Sequence, residues 1–586
     1  MCGIAGYIAK DKQTLDPEIL DRLRDALGHR GPDGDGRYVK GPVGFIQTRL
    51  AIIDLDTGDQ PLYHENGSAL IANGEIYNYI ELRKSLCEAS FKTRSDSETA
   101  LRVYARDNIG GFDQLRGMYA FAIHDVIENQ VVLCRDPFGI KQLYYVETPE
   151  FFAFASEAQA LIAAGLVARE VRDDARAELL QVQFTTGSDM IFDGIKRLLP
   201  GETIVLNNGR IIDRRRRQVL GDRGAVGTNL DAALSDWDRV FEESVRLHQR
   251  SDVDYAMFLS GGIDSASLLG MMHRLNERPV TAYTAAFEAS SVHDERDIAR
   301  EVAKACNANH IEVMFSESDF WTLLPEVAAR MDDPVADYAI LPTYKLASEA
   351  ARDFKVVLCG EGGDELFGGY GRYRSVMRPL LLGGRVMRSK GTFDKIDVLR
   401  PSVLDGWRDG IAASESRENR GKRSRLAVAQ AVDCSDWLPN DLLIKLDRML
   451  MAHGLEGRTP FLDPAVADFA YQLPDRLKVR KGVGKFLLRS WLERCLPMAH
   501  PFAKKRGFTV PVGEWIANKG NRLGPLVAHQ AGVLEIADPA AVEKLFTTPG
   551  KREAAACWHL LFYALWHQTN VLGHAPQKDV FETLAP

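Results

Sequence analysis

The sequence predicts an α+β sandwich of antiparallel sheets, followed by an α/β domain with a parallel sheet and a helical C-terminal part. Residues 3–205 contain short β-rich runs separated by turn residues. After residue 228, apolar strands alternate with helical patterns, and beyond residue 438 the apolar spacing is helical. At 586 residues the chain is long enough for about two to four domains with separate cores.

The first half is predicted to form stacked antiparallel sheets with helices on the outside. Its β-rich runs are residues 3–8, 44–53, 69–76, 119–124, 131–135, 143–146 and 151–155. Two stretches with helical spacing accompany them, at residues 18–27 and 79–86. Runs of strands with few helices are typical of layered α+β architectures.

A change of pattern marks the boundary between the two halves. Residues 213–228 contain Arg214 to Arg217 and three glycines without any periodicity, which indicates a linker. We therefore predict a first domain at residues 1–212, a linker at 213–229 and a second domain at 230–586.

The second half is predicted to contain a parallel sheet with its ligand site at one edge. Its predicted strands are residues 255–259, 281–287, 311–315 and 356–359, and its predicted helices begin with 264–275 and 298–305. Leu442, Leu446 and Leu450, together with residues 558–566, indicate further helices that cap this sheet. Open parallel sheets bind ligands at the carboxyl ends of their strands.

Composition indicates an ordinary soluble protein, with 45% hydrophobic and 26% charged residues. The net charge of -8 disfavours a nucleic-acid partner unless a local basic patch exists. The eight cysteines form no CxxC pair, which favours a reducing, cytoplasmic location. No apolar run approaches the roughly 18 residues of a membrane span, so neither a membrane partner nor a signal peptide is expected.

Cys2 follows the initiator methionine, and removal of that methionine would leave a thiol and a free α-amine on one residue. An α-amine has a pKa of roughly 7.7 to 8.0, so it can accept the thiol proton near neutral pH. The thiolate could then attack a carboxamide and form a thioester. A lone cysteine at this position could equally be a core residue, so the prediction depends on the motifs that follow it.

Five motifs give Cys2 its context. They are MCGIAG at residues 1–6, HRGPD at 29–33, RLAI at 49–52, NGEIYN at 73–78 and SDSE at 95–98. In order and spacing they resemble the class II glutamine amidotransferases. The resemblance implies an N-terminal nucleophile (Ntn) fold and a glutaminase activity for residues 1–212.

The same resemblance implies roles for individual residues. Cys2 would be the nucleophile, Arg49 would pair with the glutamine α-carboxylate, and Asn73 with the Gly74 amide would form the oxyanion hole. The implied glutamine-binding set is Arg49, Leu50, Ala51, Ile52, Ile53, Asn73, Gly74, Glu75 and Asp96, with Glu75 and Asp96 holding the α-ammonium. Taken singly, Asn73-Gly74 is a common hairpin turn, Asp96 a common helix cap, and HRGPD a structural loop.

A small-residue loop follows the first strand of the second half and opens a helix. The loop comprises Leu259, Ser260, Gly261, Gly262, Ile263, Asp264 and Ser265. Backbone amides and a helix N-terminus in such a loop suit a phosphate, although a plain strand-to-helix turn would look similar. No GxxxxGK[ST] motif is present, and the loop instead resembles the SGGxDS loop of the ATP pyrophosphatases. That resemblance implies release of pyrophosphate and an acyl-adenylate intermediate.

A second loop, CGEGGDELFGGY at residues 359–370, follows another predicted strand. Mg²⁺ prefers carboxylate and phosphate oxygens, so Asp264 and Asp364 are the predicted metal ligands. Glu361 remains for proton transfer or handling of the acceptor. A calcium site is disfavoured because the EF-hand spacing is absent.

With both loops present, the chain resembles the glutamine-hydrolysing asparagine synthetases from Cys2 to about residue 515. The resemblance includes residues 456–463 and 484–485. It implies that ATP contacts the backbone around Leu259, Ala285, Cys359 and Gly360, and that Glu361 supports the acyl adenylate. Lys485 would stabilise charge at the reacting centre, although it could be a surface lysine. Arg458 is predicted to be a buried structural residue.

The implied reaction converts ATP, aspartate and glutamine to asparagine, AMP, pyrophosphate and glutamate, with ammonia crossing a dry passage between the halves. One departure affects the acceptor: residues 371–374 read GRYR, where well-known asparagine synthetases carry a Tyr-Phe-His-Lys-type stretch. Residues 504–508 and the basic segment 374–425 are similar to those of relatives that amidate uronic acids or peptides. Aspartate is the first choice, and those acceptors are the alternative.

Two other functions are alternatives to this one. A nucleic-acid-modifying ATP pyrophosphatase could use Arg214 to Arg217 as phosphate contacts, but it has no need of the N-terminal glutaminase motifs. A non-catalytic scaffold would require damaged motifs, and both sets are intact. Small-molecule substrates are therefore the expected partners, with a homodimer possible.

Overall fold

The computed structural model describes residues 2–10, 15–218, 220–221, 225–287, 296–379, 381, 384–503, 510–548 and 550–586. Met1 of the first motif and the basic stretch 504–508 lie outside the described residues. So do parts of the predicted linker, namely residues 219 and 222–224.

The first half is a sandwich of two antiparallel six-stranded sheets, as the sequence predicted. Its strands are β1 Gly3–Ala9, β2 Gly34–Lys40, β3 Val43–Arg49, β4 Leu62–Tyr63, β5 Ala69–Ile76, β6 Gly117–Asp125, β7 Gln130–Arg135, β8 Tyr144–Glu147, β9 Phe151–Ala155, β10 Lys196–Arg197, β11 Glu202–Asn207 and β12 Arg210–Arg216. One sheet has the order β10-β8-β9-β1-β3-β2 and the other β12-β11-β7-β6-β5-β4.

The side chains that point inward, at every second position of a strand, pack between the two sheets and hold them together. Ile4 and Phe45 of the first sheet pack against Ile71 and Ala122 of the second in one buried cluster. The helices of this half cover the outer faces. They are α1 Pro17–Leu27, α2 Tyr79–Ser85, α3 Glu98–Asp107, α4 Ala158–Ala163 and α5 Asp173–Val182.

The second half contains a parallel sheet, also as predicted. Its strands are β13 Tyr255–Phe258, β14 Thr281–Phe287, β15 Asn309–Phe315, β16 Val356–Leu358 and β17 Glu456–Arg458, in the order β15-β14-β13-β16-β17. All neighbouring strands are parallel. The strand order reverses between β13 and β16, and such a switch point opens a crevice at the carboxyl edge.

Helices surround this sheet and form the C-terminal part. They are α6 Leu230–His248, α7 Ile263–Leu275, α8 Arg296–Ala305, α9 Glu317–Arg330, α10 Ile340–Ala350, α11 Gly363–Phe367, α12 Gly371–Met377, α13 Asp409–Glu418, α14 Arg425–Val432, α15 Leu443–Met451, α16 Pro464–Gln472, α17 Asp475–Lys478, α18 Phe486–Cys495, α19 Val512–Asn518, α20 Gly520–Ala528, α21 Ala531–Ile536, α22 Pro539–Thr547, α23 Lys551–Trp566 and α24 Val580–Thr583. A π-helical segment, Asp433–Leu442, runs into α15. Among the described residues, no helix has the length and apolarity needed to cross a membrane.

The linker prediction was wrong at its beginning, because residues 213–216 belong to β12. Arg214, Arg215 and Arg216 pair in register with β11 on an edge strand, where Arg214 pairs with Glu202, Arg215 with Asp113, and Arg216 donates to the Pro200 carbonyl. Charged side chains on a sheet edge discourage pairing with other chains, which explains why this strand has no apolar alternation. The exact domain limits of 212 and 230 remain a prediction.

The two halves share buried contacts. Tyr144 and Leu179 of the first half lie in the same hydrophobic cluster as Leu324 and Trp558 of the second. Ion pairs also cross the boundary, including Arg30–Asp447, Arg116–Asp463, Arg197–Asp333 and Lys355–Asp33. The interface therefore combines apolar packing with charge pairing.

Candidate active sites

Cys2 lies at the edge of the sandwich, immediately before β1. The antiparallel register pairs Gly3 with Thr48, which places Cys2 level with Arg49 at the end of β3. The Gly3 amide donates to Thr48 Oγ1 at 3.1 Å, and Arg30 Nε donates to the Cys2 carbonyl at 3.2 Å. The backbone of Cys2 is therefore held by side chains from two other elements.

Burial raises the pKa of the Cys2 thiol, and a hydrogen bond from the Leu50 backbone opposes this rise. Charges of Glu75 and Glu456 raise the pKa further. The thiol is thus protonated at rest, and its reactivity requires a base to take the proton.

Asn73 and Gly74 lie inside strand β5 rather than in a hairpin turn, so the turn interpretation was wrong. They pair with Ala120 and Tyr119 of β6. Asn73 is fully buried, and neither atom of its side-chain amide has a hydrogen-bond partner among the described residues. Gly74 has φ +143°, and a Cβ there would lie 2.0 Å from the Met118 carbonyl oxygen. Only glycine fits at this position.

Three carboxylates crowd the space beside β5. Burial raises the pKa of Glu75 well above its usual value, and Asp96 and Glu456 add repulsion. Burial also raises the pKa of Asp96, to about 6, although Asp96 accepts a hydrogen bond from the Ile76 amide at 2.6 Å. The Arg458 guanidinium, 3.6 Å from Glu75, supplies one compensating positive charge. This surplus of carboxylates suits a cationic group such as an α-ammonium.

Arg49 is buried at the end of β3 and forms two polar contacts. Its guanidinium donates to Asp59 Oδ1 at 2.6 Å and to the Asp54 carbonyl. The following residues, Leu50, Ala51, Ile52 and Ile53, run along the same edge, with the Ala51 amide donating to Asp33 at 2.8 Å. A planar guanidinium at this edge is suited to a carboxylate ligand.

The second site is a cavity of about 1000 Å³ at the carboxyl edge of the parallel sheet. It opens at the switch point between β13 and β16. The predicted nucleotide residues in its wall are Leu259, Ser260, Gly262, Asp264, Ser265, Ala285, Cys359 and Gly360, joined by Glu361 and Asp364. Gly261 lies in the same loop between Ser260 and Gly262.

The two glycine-rich loops touch each other across this cavity. Ser265 Oγ donates to the Ser260 carbonyl at 2.9 Å and closes the first loop. A Cβ on Gly360 would lie 3.2 Å from the Ser265 amide, and one on Gly363 would lie 2.4 Å from Asp264 Oδ1. Glycine at both positions therefore permits the close approach of the loops.

Lys485 is buried between the two predicted metal ligands, so the alternative of a surface lysine was wrong. Its ammonium contacts Asp264 and lies 2.7 Å from Asp364 Oδ1. Burial alone would lower the pKa of Lys485, but the two carboxylates outweigh this effect and raise it. Three charged groups from separate elements thus converge at one end of the cavity.

Strand β17 lies between the two sites. Its Arg458 side chain faces Glu75 at 3.6 Å, while the Arg458 carbonyl accepts from the Cys359 amide at 2.8 Å. Arg458 is fully buried and donates to Glu456 Oε1 at 2.6 Å, as predicted for a structural pair. One short strand therefore contacts the pocket near Cys2 and the loop of the cavity.

Comparison with known proteins identifies the family to which this chain belongs. Residues 236–568 match the model of the family described as asparagine synthase. This chain belongs to the asparagine synthase family. Residues 1–216 match a second model, the glutamine amidotransferase domain.

Full-length relatives support the assignment. An asparagine synthetase [glutamine-hydrolyzing] 1 from Bacillus subtilis is 31% identical, covering 99% of this chain and 100% of its own. A putative asparagine synthetase from Mycobacterium bovis is 32% identical over 97% of each chain. Among solved structures, a glutamine phosphoribosylpyrophosphate amidotransferase from B. subtilis aligns over 53% of this chain at 15% identity, with a TM-score of 0.30.

The departure at residues 371–374, noted against well-known asparagine synthetases, lies beside the cavity. Arg372 pairs with Asp433 at 2.8 Å and lies over the ring of Tyr370, which lines the cavity. Arg374 donates to the Gly482 carbonyl at 2.9 Å. Arg372 therefore contacts a residue of the cavity wall, whereas Arg374 contacts a residue outside it.

Sequence reasoning missed several residues of the cavity in this member of the family. They are Gln183, Phe258, Tyr283, Thr284, Phe287, Asp337, Tyr338, Trp437 and Lys445. Lys445 carried one signal, because it is a charged residue within the apolar run LIKLDRMLM. The sequence around Gln183 gave no signal, because Gln183 belongs to the first half of the chain and the cavity to the second.

Proposed function

We propose that this protein is a glutamine-hydrolysing asparagine synthetase, a carbon–nitrogen ligase with glutamine as its nitrogen donor. It converts ATP, L-aspartate, L-glutamine and water to AMP, pyrophosphate, L-asparagine and L-glutamate. In this proposal, residues 1–212 act as the glutaminase and residues 230–586 as the ATP-dependent synthetase. Family membership supports the class of reaction, and the names of the relatives favour aspartate as the acceptor.

The glutaminase step begins at Cys2. After removal of the initiator methionine, the α-amine of Cys2 takes the thiol proton, and the sulfur attacks the glutamine carboxamide carbon. Asn73 Nδ2 and the Gly74 amide stabilise the oxyanion, and the buried, unpartnered Asn73 amide supports this role. Ammonia leaves, and water hydrolyses the thioester to glutamate. Arg49 binds the α-carboxylate, while Glu75 and Asp96 bind the α-ammonium.

The synthetase step activates a carboxylate in the cavity. The acceptor carboxylate attacks the α-phosphorus of ATP, forming an acyl adenylate and releasing pyrophosphate. Lys485 stabilises negative charge at the pyrophosphate end, because its ammonium is held in place by Asp264 and Asp364. Ammonia then attacks the acyl carbon, Glu361 accepts a proton, and AMP leaves. Burial raises the pKa of Glu361 and so makes it a better proton acceptor.

Mg²⁺ fits the donor set at this end of the cavity. Within the described residues, no group of three or more His, Cys, Asp or Glu side chains is placed to hold a metal. The protein would therefore supply Asp264 and Asp364, and phosphate oxygens and water would complete the octahedron. When bound, the ion would neutralise charge on the polyphosphate.

Ammonia passes between the sites along β17 in this proposal. Ammonia must remain unprotonated to react, so its route must exclude water. The residues of β17 and those beside it are buried, including Glu456, Arg458, Lys141 and Cys359. Burial lowers the pKa of Lys141. Burial and the charge of Glu361 raise the pKa of the Cys359 thiol, and the charge of Lys141 opposes this rise.

The contact of β17 with both sites is the observation that carries the proposal. A glutaminase and a carboxylate-activating site that lie back to back can share one nitrogen atom without releasing it. Separate binding modules would have no need of a common buried strand.

Replacement of Cys2 by alanine tests the division of labour. Cys2→Ala should abolish glutamine-driven amide formation, because no thioester can form. Synthesis from ammonium salts should stay within about twofold of wild type, because Cys2 does not line the synthetase cavity and separated sites behave nearly independently. Amide product is measured by mass spectrometry, with folding checked by circular dichroism. Loss of both activities would contradict separate sites.

An acceptor screen tests the choice of aspartate. The enzyme is incubated with ATP, Mg²⁺, glutamine and either L-aspartate, a uronic acid or a short peptide, and pyrophosphate and amide are quantified. Asparagine and stoichiometric pyrophosphate are expected with aspartate. Amide from a uronic acid or peptide alone would transfer the same chemistry to another carboxylate. Release of ADP and phosphate would exclude the acyl adenylate.

A further inference from the structure

One wall of the synthetase cavity carries an ion pair with no role in the steps above. Lys445 Nζ donates to Asp337 Oδ2 at 2.9 Å, and both side chains line the cavity beside Glu361. Lys445 is buried and Asp337 is half-buried. Burial alone would lower the pKa of Lys445, but Asp337 outweighs it, so Lys445 remains charged. A cation and an anion facing the same space offer a partner to a ligand group of either sign.

A second layer holds this pair in place. Asp441 lies behind it and receives a hydrogen bond from Gln183 Nε2 at 3.0 Å. Burial and the charge of Asp337 raise the pKa of Asp441 to about 8, against the opposing effects of Lys445 and Gln183. Asp441 therefore carries a proton over most of the neutral range and adds no negative charge to the wall.

Gln183 reaches this wall from the glutaminase half of the chain. It follows α5 in the left-handed region, with φ +72°. Its carbonyl accepts from the Ala336 amide at 2.8 Å, one residue before Asp337. This left-handed conformation ends helix α5 and turns the chain toward the cavity.

Neighbours of Gln183 fix the same segment to the synthetase half. Phe184 is fully buried and packs edge-on against Trp437, which also lines the cavity. The Gly187 amide donates to Asp436 at 3.3 Å. The segment Gln183–Gly187 is thus fixed to the synthetase half, and Gln183 is its member that lines the cavity.

We propose that the Lys445–Asp337 pair binds the acceptor, and that Gln183 is a positioning residue by which the glutaminase half completes the acceptor site. The acceptor would be a carboxylic acid with a further charged group: Lys445 takes an anionic group and Asp337 an ammonium. The inference rests on the proposed function, because it names the subsite for the carboxylate that ATP activates.

The pair is tested with ammonium chloride as nitrogen donor, so that the glutaminase reaction is bypassed. Wild type is assayed with L-aspartate, which carries further charged groups, and with D-glucuronate, which carries none. Amide from D-glucuronate alone would overturn the inference, and L-aspartate is used for the variants. Lys445→Met should raise the KM for that acid at least tenfold, as expected for loss of a charge-assisted contact. The KM for ATP should stay within about twofold. Lys345→Met is the matched control, because Lys345 pairs with Asp319 outside the cavity.

Gln183 is tested with two substitutions that separate its side chain from its backbone. Gln183→Gly and Gln183→Asn both tolerate a left-handed conformation, but neither reaches Asp441. Each should raise the acceptor KM about threefold to tenfold, the effect of one lost hydrogen bond, while kcat changes less. A purely structural turn would leave these two variants like wild type.

The outcomes separate the inference from the function on which it rests. An unchanged acceptor KM in folded Lys445→Met, or in both Gln183 variants, would overturn the inference and leave the proposed function standing. If Lys445→Met fails to bind ATP or to fold, the Gln183 variants decide. If wild type forms amide with neither L-aspartate nor D-glucuronate, the proposed function is wrong, and so is the inference that rests on it.

Discussion

Asp96 shows how a single side chain can set the pH range of a binding pocket. It lies beside Glu75 and Glu456, with Arg458 as the nearby cation. Burial raises its pKa to about 6. In the proposed role, only the ionised carboxylate attracts the glutamine α-ammonium. The free enzyme should therefore bind glutamine poorly when the pH falls below about 6.

The pH profile of glutaminase activity checks this expectation. Wild-type kcat/KM for glutamine should fall about tenfold per unit once the Cys2 α-amine is protonated, because the amine is the base, and about a hundredfold per unit below pH 6, where Asp96 is protonated as well. Asp96→Asn should lower kcat/KM at pH 8 by about 10- to 100-fold, the range for a hydrogen bond to a charged group, and should remove only the additional fall below pH 6. Ammonia-driven synthesis at pH 8 serves as the control and should not change. An additional fall below pH 6 that persists in Asp96→Asn would assign this titration to another group.

Contiguous motifs explain why these residues could be named from sequence. Cys2, the run 73–75 and the loop 259–265 each place several functional groups on one stretch of chain. Lys445 and Gln183 lack this property, since Gln183 and its partner Asp441 are 258 positions apart. Only tertiary packing brings Lys445, Gln183 and Asp441 together, so no local pattern could predict that they share one site.

At the scale of elements, α15 joins the two sites. Lys445 on this helix lines the synthetase cavity. Asp447, two residues later, accepts from Arg30 at 2.8 Å, and Arg30 also holds the Cys2 carbonyl. Arg448 pairs with Asp332 at 2.6 Å. One turn of helix therefore carries a contact to each active site.

Asp447 should be a measurable part of the stability of the protein. Burial alone would raise its pKa, but Arg30 and Lys141 outweigh burial and lower the pKa to about 2. Because the folded pKa lies below the unfolded value, this stabilisation is complete above about pH 4 and is lost as the pH falls through 2. A carboxyl shifted in this way contributes about 2–3 kcal/mol at neutral pH.

Urea unfolding at pH 7 tests the Asp447 contribution. Asp447→Asn should lose about 2–3 kcal/mol, since the amide removes the charge and keeps the shape. Asp25→Asn, at an exposed ion pair on α1, should change stability by less than about 0.5 kcal/mol. Equal effects of the two substitutions would argue against a special role for the buried pair.

Two elements without a periodic burial pattern were missed in the sequence. Strand β2 has a single buried residue, Tyr38, so it shows no apolar alternation. Helix α5 is buried along its whole length after Asp174, so it has no polar face to give a helical period. By contrast, β5 and β14 are mostly buried strands, and their predicted limits agree with the structure. Short buried strands were therefore easier to locate than an exposed strand or a helix buried on every side.

At the scale of the whole molecule, the two halves behave as one packed body. Side chains from both halves share a hydrophobic cluster, and Gln183 extends one half into the cavity of the other. The pairs Arg30–Asp447 and Arg197–Asp333 are buried at this boundary. Buried pairs and apolar contacts are weakly screened by salt. The covalent link between the halves should therefore be dispensable once the protein has folded.

Cleavage of the folded protein tests this expectation. A protease site inserted after Gly227, in an exposed stretch before α6, allows the chain to be cut between the halves. The two fragments should co-elute in size-exclusion chromatography at 0.5 M salt, because apolar burial does not depend on ionic strength. The ratio of glutamate formed to amide formed should remain close to that of the intact enzyme, since both sites keep their places beside β17. Intact protein with the same insertion is the control. Elution as two separate peaks, or a rise in glutamate without amide, would show that the linker rather than the buried interface holds the sites together.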